Sequence, residues 1–172
     1  MATTEISTGE RADLLQTLGK HRYFLRNTVR DLTDEQAATR PTVSELCLGG
    51  LIKHVADTER GWADFILDGA PASSGYDEAS VDAWLGRFRM APGETLAGIL
   101  AEYQEVAERT DQLVRDLPDL DVSHPLPEAP WFEPGARWSA RRVLLHVIAE
   151  TSQHAGHADI LRETIDGAKS MG

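Results

Sequence analysis

The stretch that decides the fold is Arg142–Glu163, RVLLHVIAETSQHAGHADILRE, near the C-terminus. Three histidines and a glutamate recur in it at intervals of four, four and three residues: His146, Glu150, His154 and His157. On an α-helix this spacing places all four side chains on one face, within an arc of roughly 80°. Apolar residues border that arc on one side: Val143, Leu144, Val147, Ile148, Ala155 and Leu161. A polar cluster beside a buried stripe can reach a cavity inside a helix bundle, so the rest of the chain should supply the other walls.

Three further long segments show the helical spacing of apolar residues. With the C-terminal helix, the predicted spans are about 9–31, 45–67, 94–116 and 140–166, with N-caps at Thr8, Ser44 and Ser139 and a C-terminal Gly167. Short helices are expected near 33–36 and 81–88. Gly49 and Gly50 fall inside the second long helix at a cost of about 1 kcal/mol each. That cost suggests a loose first turn or close approach by another part of the chain.

Residues 117–138 contain several prolines and show no strand pattern, so they are expected to form a long crossover loop before the last helix. The loop carries Trp131 and Phe132, which suit either a lid over the end of the core or a pocket wall. Four amphipathic helices with one long crossover predict an all-α four-helix bundle. At 172 residues, the chain is expected to form a single domain, residues 1–172.

The charge and hydropathy of the chain argue against two classes of partner, nucleic acids and membranes. A formal net charge of -11 argues against nucleic acid, because phosphate binding needs a basic surface. No apolar run approaches the length needed to cross a membrane, and the N-terminus lacks the pattern of a signal peptide. A cytoplasmic location is therefore expected. The single cysteine, Cys47, allows no internal disulfide and has no histidine base close in sequence.

The spacing of Glu150 and His154 suits a metal site. An i, i+4 pair on one helix can supply two ligands to a divalent ion such as Zn²⁺ or Ni²⁺. His54, at the edge of the apolar stripe of the second long helix, is the candidate for a third. Three protein ligands leave a coordination position open for substrate. The alternative is a partly exposed Glu150–His154 pair and a hydrogen-bonded core histidine at position 54.

Two stretches together resemble the DinB-like superfamily. Residues 138–167 are similar to its last helix, and Leu48–Trp62 is similar to its second helix. The closest likeness is to the actinobacterial branch of mycothiol-dependent maleylpyruvate isomerases and thiol transferases. The resemblance implies a bundle of four long helices with a divalent metal at one end, held by His54, Glu150 and His154. Many superfamily members have histidine in place of Glu150, and glutamate there fits the mycothiol-dependent branch.

The same resemblance implies a thiol chemistry. The metal, Zn²⁺ first and Ni²⁺ second, would activate a low-molecular-weight thiol such as mycothiol, which would attack an electrophilic small molecule. His157, Trp131 and Phe132 are expected in the pocket wall, His146 is expected to be structural, and a homodimer is plausible. Two alternatives stay open: a non-catalytic stress-response bundle that binds metal or a small ligand, and a purely structural bundle. Whether turnover occurs, and which residues would be catalytic, the sequence leaves undecided.

Overall fold

A computed structural model describes residues 9–69 and 86–170 of the protein. Within these ranges the chain forms five helices and two short strands. They are α1 (Glu10–Asn27), α2 (Asp34–Ala38), α3 (Leu48–Asp68), α4 (Leu96–Asp116), β1 (Ser123–Pro125), β2 (Arg137–Ser139) and α5 (Ala140–Asp166). The helix predicted near 81–88 lies largely outside the described residues.

The four long helices pack as a closed ring. Helix α1 packs against α4 and α5, and α3 also packs against α4 and α5. Helices α1 and α3 therefore face each other across one diagonal, and α4 and α5 face each other across the second. The predicted all-α four-helix bundle is confirmed. In the part of the chain that the structure describes, none of these helices is long and apolar enough to cross a membrane.

Two helix starts differ from those predicted. Helix α3 begins at Leu48 and not at residue 45, because the cap is Cys47, whose Sγ accepts a hydrogen bond of 3.4 Å from the Gly50 amide. The predicted cap Ser44 instead bonds within a turn, to Thr42 at 2.9 Å. Helix α4 begins two residues later than predicted, after a cap at Thr95. Serine and threonine caps are easy to expect from sequence, whereas a thiol that caps a helix is not.

The last helix begins and ends as predicted. The Ser139 hydroxyl accepts a hydrogen bond of 3.2 Å from the Arg142 amide. Gly167 follows the helix with a φ of 78°, the left-handed conformation that favours glycine at this position. Helix α1 ends at Asn27 and not near residue 31, and the predicted cap Thr8 lies outside the described residues. Both ends of α5 are thus fixed by local chemistry. This helix carries His146, Glu150, His154 and His157.

The crossover between α4 and α5 is not a simple loop, so the expectation that it lacks strands is wrong. Strands β1 and β2 pair antiparallel, with Ser123 opposite Ser139 and Pro125 opposite Arg137. Each has only three residues, which is too short for an alternating pattern to stand out in the sequence. The His124 ring bonds the Ile66 carbonyl oxygen at 3.2 Å, which joins the hairpin to the end of α3.

A buried ion pair links the diagonal helices α1 and α3. The Arg22 guanidinium donates to both carboxylate oxygens of Glu59, at 2.5 and 3.1 Å, and to Asp111 of α4 at 2.7 Å. Glu59 is 1% exposed, so water cannot solvate its carboxylate, and the ion pair with Arg22 neutralises its charge. Three helices are thereby held in register five residues beyond His54 on α3.

Candidate metal centre

His54, Glu150 and His154 come together as the sequence predicted. Each offers one ligand atom, and these atoms all lie within 4.8 Å of one another. The Nε2 atom of His154 is 3.5 Å from a Glu150 carboxylate oxygen, one turn away on α5. The His54 ring, from α3, meets the His154 ring edge to face, with 4.9 Å between centroids. Two nitrogens and one carboxylate oxygen therefore converge from two packed helices.

The spacing of these atoms fits a divalent metal. In a tetrahedral zinc site with bonds of about 2.0–2.1 Å, neighbouring ligand atoms stand roughly 3.3 Å apart. The His154–Glu150 distance of 3.5 Å is already close to this value. The Nδ1 atom of His54 is buried and has no hydrogen-bond partner among the described residues. An unpaired buried nitrogen costs free energy, and a bound metal would remove that cost if Nδ1 is the nitrogen that carries the lone pair, so the residues present fit a metal.

Burial also keeps the histidines in the form that binds metal. It lowers the pKa of His54 to about 4, and the charges of His154 and Arg87 act in the same direction. Burial likewise lowers the pKa of His154, although the Glu150 carboxylate partly opposes the shift. Both rings are therefore neutral near pH 7, and a neutral imidazole has a lone pair to donate.

Phe88 packs against one face of the His54 ring. The two rings stack with 4.2 Å between centroids. Gly50 makes this possible, because a Cβ at that position would lie 1.9 Å from the Phe88 carbonyl oxygen. At Gly49 a Cβ would lie 2.4 Å from Met90 Sδ. The glycine pair in α3 thus permits the close approach that its sequence suggested, and the approaching segment is the one that carries Phe88.

His146, which was expected to be a structural residue, lies beside Glu150 of the centre. Its Nε2 atom lies 3.9 Å from the second oxygen of Glu150. Its ring contacts Trp62 and Trp138, each with 5.1 Å between centroids, and these two indoles stack on each other at 4.9 Å. We call Trp62, Trp138 and His146 the aromatic wall. Trp62 follows His54 by eight residues on α3. This helical spacing is the signal in the sequence that could have indicated an aromatic residue near the centre.

The three predicted pocket residues lie at different distances from the centre. His157 is exposed, and its Nδ1 atom lies 3.4 Å from Nδ1 of His154. Phe132 contacts Trp138 of the aromatic wall, with 5.6 Å between centroids. Trp131 is 65% exposed and contacts Phe132 at 6.1 Å, further from the histidines. His157 and Phe132 therefore adjoin groups next to the centre, whereas Trp131 lies at the outer edge.

Comparisons with known proteins agree with this geometry. The sequence profile of one family, mycothiol-S-transferase, matches residues 13–167. YfiT from Bacillus subtilis, described as "a probable metal-dependent hydrolase with an unusual four-helix bundle topology", superposes with a TM-score of 0.66 at 20% identity, over 94% of this chain and 90% of that one. A conserved protein of Enterococcus faecalis superposes with a TM-score of 0.65 at 13% identity, over 94% of this chain and 100% of that one. A search of curated proteins gave no significant match.

Proposed function

Because the chain belongs to the mycothiol-S-transferase family, a DinB-like group, we propose that it is a metal-dependent thiol S-transferase or isomerase. Its substrates are a low-molecular-weight thiol, mycothiol in the first instance, and an electrophilic small molecule. The observation that carries the proposal is the convergence of one ligand atom each from His54, Glu150 and His154 within 4.8 Å of one another. A cytoplasmic location and a homodimer belong to the same proposal.

His54, Glu150 and His154 would hold the metal, with Zn²⁺ the first candidate and Ni²⁺ the second. Imidazole nitrogen suits both ions, and one carboxylate keeps the site less negative than two would. When bound, the metal lowers the pKa of a coordinated thiol, so that the thiolate is present near neutral pH. Three protein ligands leave a fourth position for that thiol.

The chain's own residues position the reactants. Phe88 covers one face of His54 and excludes water from it. Glu150 lies between His154 and His146 on α5, with its carboxylate oxygens 3.5 and 3.9 Å from their Nε2 atoms. The aromatic wall borders Glu150 on the side of His146 and offers a flat apolar surface for an electrophile. Phe132 extends this surface outward through Trp138.

Two other functions compete with this one. A non-catalytic bundle could use the same three ligands to store or sense metal or a small ligand. A hydrolase, the activity thought probable for the Bacillus subtilis protein, would place water where the thiol is proposed. The family match favours the thiol, since it extends over residues 13–167, whereas the structural likeness at 20% identity supports the fold alone.

The first test is metal content per chain, measured by mass spectrometry on protein without a histidine tag. We expect about one equivalent of metal in the parent and little in His154→Ala. The matched control is His21→Ala, a histidine on α1 whose ring contacts Phe24, and this variant should retain the metal. No metal in the parent after incubation with Zn²⁺ and Ni²⁺ would refute both the enzyme and the metal-binding alternative.

The second test separates the thiol enzyme from its competitors. Consumption of an electrophile such as monochlorobimane is followed with mycothiol, with another low-molecular-weight thiol and with no thiol. Metal-dependent acceleration that requires a thiol supports the transferase. Product formation without thiol would indicate a hydrolase, and metal binding without acceleration of any kind would indicate a non-catalytic binder.

A further inference from the structure

The two ring nitrogens of His154 have different neighbours on α5. Its Nε2 atom lies 3.5 Å from a carboxylate oxygen of Glu150. Its Nδ1 atom lies 3.4 Å from the Nδ1 atom of His157, which is within hydrogen-bonding distance, and the two rings meet at 60° with 5.4 Å between centroids. One nitrogen of His154 therefore faces another proposed metal ligand, whereas the second faces a histidine outside the proposed ligand set.

A hydrogen bond between these two histidines decides which nitrogen of His154 is able to bind metal. A neutral imidazole has a proton on one ring nitrogen and a lone pair on the other. If His154 donates its Nδ1–H to Nδ1 of His157, the lone pair of His154 lies on Nε2, beside Glu150. The His157 ring then has its own proton on Nε2. This arrangement leaves His154 in the form that a metal next to Glu150 requires.

Glu150 competes for the same proton. In the other neutral form of His154 the proton lies on Nε2 and can be donated to the Glu150 carboxylate, 3.5 Å away. That bond would pair two proposed ligands with each other, and Nε2 would have no lone pair for a metal. A carboxylate is a stronger acceptor than a neutral ring nitrogen, because its charge strengthens the hydrogen bond. Removal of the acceptor on His157 therefore favours the form of His154 that cannot bind metal at Nε2.

His157 can be replaced without disturbing the core. It follows His154 by three residues, so the helix itself places the two side chains next to each other. His157 is exposed, whereas the side chain of His154 is 13% exposed. A substitution at residue 157 therefore removes a hydrogen-bond acceptor and leaves no buried cavity behind.

We propose that His157 is a positioning residue of the centre, which accepts a hydrogen bond from Nδ1–H of His154 and so keeps Nε2 of His154 free to bind metal. This role rests on the proposed function only through its metal, and it is the same in an enzyme and in a non-catalytic metal binder. Loss of such an outer partner of a ligating histidine weakens metal binding by about 10- to 100-fold. Because His157 is exposed and water can replace it in part, we expect about tenfold.

The test compares substitutions of His157 by their zinc affinity, measured in a chelator competition. His157→Ala and His157→Leu remove the acceptor, and both should bind zinc about tenfold more weakly than the parent. His157→Asn keeps an acceptor, since Oδ1 of asparagine lies close to where Nδ1 of histidine lies, and it should recover most of the affinity. The matched control is His21→Ala on α1, which should bind zinc as the parent does.

The order of the variants separates a positioning role from a structural one. Alanine forms helices better than asparagine does, so a residue that merely supported α5 would give a better protein with alanine. The hydrogen bond predicts the reverse order in zinc affinity, with asparagine above alanine. Thermal melts of the metal-free variants measure the helix effect by itself, and they should rank alanine above asparagine.

The position of the His154 proton is measured directly by long-range proton–nitrogen NMR on metal-free protein labelled with ¹⁵N. We expect the proton on Nδ1 in the parent and a larger share of it on Nε2 in His157→Ala. A proton on Nε2 in the parent, or equal zinc affinities of His157→Ala and His157→Asn, would refute the positioning role and leave the metal centre intact. Failure of the parent to bind zinc would refute the centre, and the proposed function with it.

Discussion

The sharpest perturbation of this protein is one methyl group at Gly50. In Gly50→Ala the new Cβ would lie 1.9 Å from the Phe88 carbonyl oxygen and 2.6 Å from the Arg89 nitrogen. An ordinary contact needs 3.4 Å or more, so the Phe88 backbone would have to retreat by about 1.5 Å. Alanine in a helix interior is otherwise favoured over glycine by about 1 kcal/mol. Helix propensity and packing therefore predict opposite signs.

The structure indicates that packing prevails. The segment that must retreat is held to α3 by Cys47, whose Sγ lies 3.5 Å from the Phe88 carbonyl oxygen, and by the Lys53–Glu94 ion pair at 2.7 Å. Overpacking that forces a backbone shift costs about 1–3 kcal/mol. We therefore expect Gly50→Ala to lower the free energy of unfolding by up to about 2 kcal/mol after the helix gain is included.

The matched control is Gly61→Ala, since Gly61 lies in the same helix and a Cβ there would meet nothing within 4 Å. This variant should gain stability by about 1 kcal/mol. The assay is urea unfolding of metal-free protein at neutral pH, followed by circular dichroism. The reasoning is refuted if Gly50→Ala unfolds at the same urea concentration as Gly61→Ala, or at a higher one. Zinc affinity of Gly50→Ala should also fall by about three- to tenfold, because Phe88 would move off His54.

Three further outcomes are expected. Phe88→Leu should weaken zinc binding by about tenfold in a chelator competition, because the ring that orients His54 is lost, whereas Phe24→Leu, away from the centre, should leave the affinity unchanged. Metal-free protein should lose about 1–2 kcal/mol of unfolding free energy as pH falls from 6.5 towards 4, since the unfolded chain takes up a proton that half-buried His54 resists. Thermal melts between pH 6.5 and 4 should show a melting temperature that falls with pH in the parent and falls much less in His54→Gln. Glu59→Ala should lower the unfolding free energy by about 3 kcal/mol in urea, because it leaves the buried Arg22 guanidinium with Asp111 as its remaining carboxylate, whereas Glu102→Ala, which breaks an exposed pair, should cost less than about 1 kcal/mol.

The structure brings His54, Glu150 and His154 together where local geometry made this predictable, and their role as metal ligands stays a prediction. Glu150 and His154 are four residues apart on a helix whose first and last residues could be predicted from Ser139 and Gly167. The helical period then places both side chains on one face. His54 followed from its place at the edge of an apolar stripe, together with the resemblance. Phe132 and His157 were expected near the centre, and each adjoins a residue next to it. Their part in binding stays a prediction, as do the single domain and the homodimer.

The parts that the sequence missed depend on contacts between distant segments. The cost of Gly49 and Gly50 in a helix indicated a close approach, but the approaching residues lie about forty positions later, and no period connects them. Phe88 could not therefore be placed beside His54. The strands β1 and β2 were missed because three-residue strands have no visible alternation, and with them the reason that Trp138 lies against Trp62.

His154 and His54, the two histidines of the centre, are held in place by different interactions. This difference indicates which substitutions would disturb the centre. His154 is oriented by polar neighbours on its own helix, Glu150 at 3.5 Å and His157 at 3.4 Å. His54 makes no hydrogen bond to any described residue, and ring contacts with Phe88 and His154 orient it. A metal-binding histidine is usually fixed by a hydrogen bond from its second nitrogen, so here packing by a neighbouring segment takes over that role. We therefore expect metal affinity to depend on how firmly residues 86–94 stay on α3, so that a substitution along that contact would weaken the proposed centre without removing a ligand.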